Sequence, residues 1–208
     1  MKNAPEPATP FWTTSTPALS RGAHLSPSDG ACLMEAVSLA ARASWSDSPT
    51  CTHTLVAHLA RLVNDAMSPA GRQQLAALIP QLMIADAGDP ETAAHTTARL
   101  ATACTERALR IHSSLFLVHL HHVALAALQR EERVRAQEPR RAQDHGLRTL
   151  ALRVLRAIFG NGQSVRAVEA SVLACLHLDE AERDRALLDL LRTGLSVSLR
   201  RQPESTMR

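Results

Sequence analysis

The chain has 208 residues, of which 45% are hydrophobic, so it can bury one compact core without help from a metal or a disulfide. Aromatic residues make up only 2%, whereas alanine, leucine and arginine are abundant. This balance excludes an ordinary β-sandwich or β-barrel and predicts an all-α fold. The formal net charge of +3 is too small to indicate nucleic-acid binding by itself.

Residues 1–28 contain five of the eleven prolines, set among threonine, serine and alanine, and this composition predicts a disordered arm. Within the arm, Phe11-Trp12 is the one apolar pair that could dock on the domain or on a partner protein. The predicted parts of the chain are the disordered arm, 1–28; a single helical domain, 29–200, with a motif-bearing part, 29–84, and a helical remainder, 89–200; and a tail, 201–208.

Apolar residues recur at helical spacing through most of the domain and predict an irregular bundle of about seven or eight helices. Ser68-Pro69 is typical of a helix start, and Pro80 should kink or end the helix that begins there. The pattern over 90–136 is too long for one helix of this domain, so we place a break at 112–114. The predicted helices cover 31–43, a stretch from 52 or 54 to 65, 69–84, 90–111, 115–136, 146–159, 164–177 and 179–199.

The cysteines and the apolar runs indicate in which cellular compartment we expect the protein. Four cysteines lie far apart without the spacing of a disulfide framework, and the N-terminus has no apolar leader, so we expect a reduced, cytoplasmic protein. The longest apolar run, 115–128, is too short and holds too many histidines to cross a bilayer, so we expect no membrane contact.

Polar chemistry is concentrated between Cys32 and His53, where two thiols, an imidazole and two carboxylates interrupt a chain rich in alanine and leucine. Glu35 is nearly the only charge in its apolar helix, so it must be paired, protonated or bound to a metal. Pro49 favours extended backbone before Cys51, and in an extended segment residues two apart point to the same side. The predicted ligands of a metal site, with zinc as the expected ion, are Cys32, Glu35, Cys51 and His53.

Two other interpretations of these residues stay open. In the first, both cysteines are small core residues, and Glu35 bonds a backbone N–H or an arginine. In the second, Cys51 is a nucleophile at a helix entry, where the macrodipole lowers a thiol pKa, and His53 or Asp47 is its base. The candidate catalytic residues are accordingly Glu35, Asp47 and Cys51.

Three further groups of polar residues have mainly structural explanations. His112, His119 and His122 cluster on one face, where His119 and His122 could bind one ion. Histidines at a helix interface or boundary explain the cluster better, and the predicted break moves His112 off that face. Cys175-Leu176-His177 lies in a helical pattern, so its thiol should be core and its imidazole surface. The arginine-rich stretch 130–156 is interleaved with acids, which predicts a solvated face and not a nucleic-acid site.

Three short segments carry a resemblance: D-G-A-C-L-M-E-A-V-S at 29–38, W-S-D-S-P-T-C-T-H at 45–53, and V-N-D at 63–65 followed by Arg72. They resemble a family of small uncharacterised proteins of GC-rich bacteria and their phages, with the pattern D-G-x-C-x-M-E, then G-E-P-W-S-D-x-P-x-C, then N-D and R. This chain has R-A-S where the family has G-E-P. The resemblance implies no particular chemistry, but it points to a polar site at Cys32, Glu35, Ser46, Asp47, Cys51, Asn64 and Asp65.

The sequence therefore predicts a small cytoplasmic all-α protein with a polar Cys/Glu/Cys/His site that binds zinc and is possibly catalytic. The alternative is a helical adaptor or regulatory module that has no metal and binds a protein partner or a second copy of itself. The two alternatives differ in whether the thiols serve chemistry or packing.

Overall fold

The computed structural model of the protein describes residues 18–86, 88, 90–141 and 162–199. Regular structure within these residues is helical, apart from one parallel bridge between Leu19 and Ala31, which confirms the predicted all-α class. The α-helices are α1 (Leu33–Ala40), α2 (Thr54–Ala66), α3 (Pro69–Gln73), α4 (Ile79–Leu82), α5 (Pro90–Leu109), α6 (Leu115–Arg141), α7 (162–175) and α8 (Glu180–Leu199).

Two predicted helix boundaries are tested directly by the structure. The predicted break at 112–114 is confirmed, because α5 ends at Leu109 and α6 begins at Leu115. The predicted helix after Ser68 is split by the tighter turn Gln74–Leu78, and Pro80 lies in the first turn of α4. Proline has no N–H to donate to the preceding turn, so a regular α-helix cannot continue through it.

Several predicted segments lie outside the described residues. These are the first seventeen residues of the predicted arm, the predicted helix 146–159 and the predicted tail 201–208. Residues 18–28 of the predicted arm, by contrast, are part of the folded structure. We call residues 19–24, which lie against α1 and α2, the N-terminal strap.

The main core lies around α8, which packs against α2, α3, α4 and α5. Its buried face includes Leu187, Leu190 and Leu191. Gly194 marks the closest approach, because a Cβ added there would lie 2.8 Å from Leu59 of α2 and 2.9 Å from Leu100 of α5. A larger residue at 194 would force the Leu59 and Leu100 side chains to shift within a close-packed core.

A second, smaller apolar cluster joins α5, α6 and α7 and consists largely of alanine. Small side chains let these helices approach closely, but they bury little area per residue. None of the helices that the structure describes is both long and apolar enough to cross a membrane. The buried members of the second cluster are Ala101, Ala108, Leu117, Leu120, Ala124, Ala167, Ala170 and Ala174.

Candidate functional site

The N-terminal strap is attached to the helices by polar side chains. Leu19 is its one buried apolar residue, and the side-chain amide of Gln73 both donates to the Leu19 carbonyl (2.8 Å) and accepts from its N–H (3.0 Å). Asn64, fully buried in α2, donates to the carbonyl of Ser20 at 2.9 Å. Apolar burial is too small to hold the segment, so these hydrogen bonds determine its path.

The second half of the strap is held in the same way by three more side chains. Asp65 accepts a hydrogen bond from the Gly22 N–H at 2.9 Å. Glu35 accepts one from the His24 N–H at 2.6 Å, and the indole N–H of Trp45 donates to the His24 carbonyl at 2.9 Å. Both main-chain groups of His24 are therefore fixed, and so is the place of its imidazole.

Glu35 is the buried centre of this network. Besides the His24 N–H, its carboxylate accepts hydrogen bonds from the Cys32 N–H (2.7 Å) and from His24 Nδ1 (2.8 Å). Burial alone would raise the pKa of the Glu35 carboxyl, but the hydrogen bonds from His24 and Cys32 outweigh burial and hold this pKa below its ordinary value. Glu35 is thus ionised near neutral pH and can only accept hydrogen bonds.

The ionised Glu35 determines which nitrogen of His24 carries the proton. Because the carboxylate cannot donate, Nδ1 of His24 must carry hydrogen, and Nε2 of the neutral ring is then an acceptor. Ser20 Oγ lies 2.9 Å from this Nε2 and 3.4 Å from the carbonyl oxygen of Ala31. With a neutral ring, a hydroxyl hydrogen directed to Nε2 continues the hydrogen-bonded chain from Glu35 to Ser20. Ser20, His24 and Glu35 therefore form a continuous hydroxyl–imidazole–carboxylate relay.

The relay reaches the surface at one end only. Glu35 is 2% exposed, the His24 side chain is 12% exposed, and Ser20 is partly exposed. Gly30 packs directly against the outer end, since a Cβ there would lie 2.6 Å from Ser20 Oγ and 3.1 Å from the His24 ring. The φ of Gly30 is +121°, a value that residues with a Cβ rarely adopt. Glycine at this position leaves the serine hydroxyl and the imidazole unobstructed by a side chain.

The structure brings together only part of the predicted metal site. Cys32 and Glu35 form a capping box at the start of α1, in which Cys32 Sγ accepts from the Glu35 N–H at 3.4 Å. Burial raises the pKa of the Cys32 thiol to about 11, so in the metal-free chain this thiol is protonated at neutral pH. The interpretation that Glu35 bonds backbone N–H groups is confirmed.

Cys51 and His53 do not complete a ligand set with that pair. His53 is the N-cap of α2, where its Nδ1 accepts from the Leu55 N–H at 3.2 Å, and its Nε2 lies 3.2 Å from Thr97 Oγ1. Cys51 is partly exposed, and its Sγ lies 3.9 Å from Thr52 Oγ1. No group of three or more histidine, cysteine, aspartate or glutamate side chains within 18–86, 90–141 and 162–199 could hold a metal ion. The predicted zinc site is therefore not supported.

Arg72 and Asp47, which belong to the segments that carry the resemblance, both make contacts with α2. Arg72 donates to the last carbonyls of α2, at Asn64 (2.7 Å) and Met67 (2.9 Å). Asp47 accepts from Arg61 through its carbonyl and pairs with it through its carboxylate. The candidate base Asp47 is thus engaged in holding the loop before α2 against Arg61.

The remaining polar clusters have separate places. His112 stacks on His177 with ring centres 4.0 Å apart, whereas His119 and His122 are exposed. In the second Cys-x-His pair, Cys175 is buried and His177 exposed, as predicted. Much of the arginine-rich stretch, 130–156, lies outside the described residues.

Sequence reasoning missed Ser20 and His24 because a proline-rich composition placed both in the predicted arm. The available signal was the buried Glu35, which needed a partner, together with a histidine eleven residues earlier. Spacing alone could not have identified that partner among ten histidines.

No family model matches the chain, and neither the curated proteins nor the solved structures contain a match to it.

Proposed function

We propose that this protein is an acyl-transferring hydrolase in which Ser20 is the nucleophile, His24 the general base and Glu35 the group that positions the imidazole. The observation that carries the proposal is the relay from Ser20 Oγ through both nitrogens of His24 to Glu35, with distances of 2.9 and 2.8 Å. An ionised carboxylate, the matching tautomer and a serine at the surface end are the groups that activate a serine as nucleophile.

The chemical steps follow from the direction of the relay. Ser20 Oγ attacks the carbonyl carbon of an ester or another activated acyl group, and its proton moves to His24 Nε2. His24 then returns that proton to the leaving alcohol, which departs as the acyl–serine ester forms. A water molecule gives a proton to His24 Nε2 and attacks the carbonyl carbon of the acyl–serine. His24 then returns that proton to Ser20 Oγ, so the acid leaves and the Ser20 hydroxyl is restored. Glu35 stays ionised throughout and stabilises the imidazolium.

The way the strap is held supports the same proposal. Asn64 is fully buried, Glu35 nearly so, and Asp65 and Trp45 add two more bonds to a segment that contributes one buried apolar side chain to the core. Buried polar groups are costly unless they are fully paired, and here they are paired with the segment that presents Ser20 and His24. A catalytic role for these two residues explains such an arrangement better than core stability does.

The test is covalent labelling of the full chain with a fluorophosphonate, which forms a stable bond with activated serines. We expect one label per chain, on Ser20. Ser20→Ala should abolish the label. Hydrolysis of p-nitrophenyl esters with short and longer acyl chains then reports turnover and acyl preference.

Ser26→Ala is the matched control, because Ser26 lies in the same segment but bonds only Ser28 and Asp29 at the surface. It should label like the wild type. An unlabelled wild-type chain, or a label that survives Ser20→Ala, would overturn the proposal.

A further inference from the structure

The main-chain N–H groups of the strap alternate between bonded and unbonded from Ser20 to His24. Ser20, Gly22 and His24 each donate to another part of the chain, at 2.8, 2.9 and 2.6 Å. Within the described residues, the N–H groups of Arg21 and Ala23 have no acceptor. Because a main-chain N–H is a strong donor, these two groups are available to water or to a ligand.

A further unbonded N–H belongs to Gly30, which borders the Ser20 hydroxyl. A Cβ added to Gly30 would lie 2.6 Å from Ser20 Oγ, and only about 1.5 Å separates a Cβ from its Cα, so the main chain of Gly30 itself packs against the hydroxyl. The turn before it is closed by the bond from the Asp29 N–H to the Ser26 carbonyl. The Gly30 N–H has no acceptor in the part of the chain that the structure describes.

Arg21 borders the same hydroxyl through the covalent chain. Its nitrogen is four bonds from Ser20 Oγ, so the two atoms lie within about 5 Å of each other at any torsion angles. Arg21 is exposed and lies in a bend of the backbone, and Ser20 and Gly30 are both partly exposed. Two unbonded donors from different segments therefore lie next to a nucleophile that a substrate can reach.

We infer that the N–H groups of Arg21 and Gly30 form the oxyanion hole of the site, an inference that rests on the proposed function. When Ser20 Oγ adds to the carbonyl carbon of the substrate, the π electrons of the C=O bond move to its oxygen, and the Oγ proton moves to His24 Nε2. The two N–H groups donate to this oxygen as it becomes negative. When the leaving alcohol departs, the C=O bond forms again.

The bonds on either side of Arg21 explain why its N–H is suited to this role. Ser20 and Gly22 are both tied to the helical part of the chain, so the peptide between them is held in place before substrate arrives. No protein bond has to break for either donor to act, and such preorganisation is what makes an oxyanion hole effective.

The kinetic consequence is specific to this role. Main-chain donors at the carbonyl oxygen make no contact with the acyl chain, and their bonds strengthen only as negative charge develops. Removing one of them should therefore lower kcat far more than it changes KM. The loss should be equal for p-nitrophenyl esters with short and longer acyl chains.

Ligation at Ala31–Cys32 allows a direct test in the full chain, because a synthetic thioester of residues 1–31 can be joined to a fragment that begins with Cys32. Glycolic acid in place of Gly30 changes one amide to an ester and removes the N–H with little change of shape. We expect kcat for the p-nitrophenyl esters and the rate of fluorophosphonate labelling to fall by about 100-fold.

Lactic acid in place of Ala23 is the matched control, because it removes an unbonded N–H that does not adjoin the nucleophile. The two esters also weaken one carbonyl each, of Asp29 and of Gly22, and neither carbonyl accepts a hydrogen bond within the described residues. The ester at position 23 should therefore react like the ligated wild-type chain.

At position 21 the comparison is between Arg21→Ala, which retains the N–H, and lactic acid at the same position, which lacks it. We expect the same loss of about 100-fold between these two chains. Thermal unfolding of each chain checks that the fold is retained, because an ester there also weakens the Ser20 carbonyl that accepts from Asn64.

The outcomes separate this inference from the proposed function. If the wild-type chain is labelled on Ser20 but the ester at 30 reacts as fast as the ester at 23, or the ester at 21 as fast as Arg21→Ala, the inference is overturned and the proposed function stands. An unlabelled wild-type chain would overturn both.

Discussion

The region before α5 and the α5–α6–α7 region are held together by different physics. The first contains a network of buried polar groups, including Glu35, His53, Asn64 and Arg72, each with partners on other elements. In the second, buried polar groups such as Thr105 and Ser171 mostly bond carbonyls of their own helix. The first region is therefore specified by unique pairings, and the second by the fit of small apolar side chains.

This difference bears on where a catalytic site can lie in the molecule. Unique polar pairings hold a hydroxyl and an imidazole within a few tenths of an ångström, which chemistry requires. Contacts among alanines specify position less sharply, and they leave large apolar groups such as Phe116 at the surface. We expect the two regions to respond differently to the substitutions that follow.

The largest effect is expected for Glu35→Gln in the labelling assay. The glutamine amide can turn its NH2 group toward His24 Nδ1, which favours hydrogen on Nε2 and removes the acceptor for Ser20. We expect labelling to slow by about 100-fold or more. Glu169→Gln is the matched control, because Glu169 pairs with His58 at 3.2 Å on the surface. Equal labelling by both variants would contradict the role of Glu35.

Cys51 should react at least about tenfold faster with a disulfide reagent than the three buried thiols do. Cys51 is partly exposed, whereas burial raises the pKa of Cys32 and Cys175 to about 11 and that of Cys104 to about 12. We expect one thiol to react quickly in the native chain and four after unfolding. Cys51→Ser should remove the fast phase. A second fast thiol at Cys32 would show that the capping box at the start of α1 is open.

Two fully buried side chains allow a direct test of the contrast between the regions. Asn64→Ala leaves the Leu33 N–H and the Ser20 carbonyl without their partner, and we expect a loss of about 1–3 kcal/mol in unfolding free energy. Ser171→Ala removes a hydroxyl that bonds only the Ala167 carbonyl of its own helix, and we expect less than about 0.5 kcal/mol. Denaturant unfolding measures both. Similar losses of unfolding free energy in the two variants would contradict the difference between the two regions.

The smallest effect is the acid dependence of stability that Glu35 contributes. Its folded pKa lies below the ordinary value of 4.5, so its contribution is present above that value and is lost as pH falls through the lower folded pKa. The difference in unfolding free energy between wild type and Glu35→Gln, on the order of 1 kcal/mol, should be constant above about pH 5 and shrink in stronger acid. If the difference in unfolding free energy grew in acid, the lowered pKa of Glu35 in the folded state would be contradicted.

Local patterns predicted the helices because their signals lie within a few residues. Ser68-Pro69 starts α3 as expected, and Asp179 accepts from the Glu182 N–H at 2.9 Å at the start of α8. The cluster at Cys32 and Glu35 was also recognised, since a charge in an apolar helix needs a partner. That Cys32 and Glu35 form a capping box depended on burial and on hydrogen bonds that no spacing specifies.

The sequence by itself determined the all-α class, most helix boundaries and the need for a partner at Glu35, because periodicity, caps and buried charge act locally. Only the tertiary structure decided that His24 is that partner and that Ser20 completes the relay. The strap is held through side chains as far as 54 residues away, as between Leu19 and Gln73. Such long-range bonds leave no local pattern, so a segment that looks disordered by composition becomes ordered only on the folded helices.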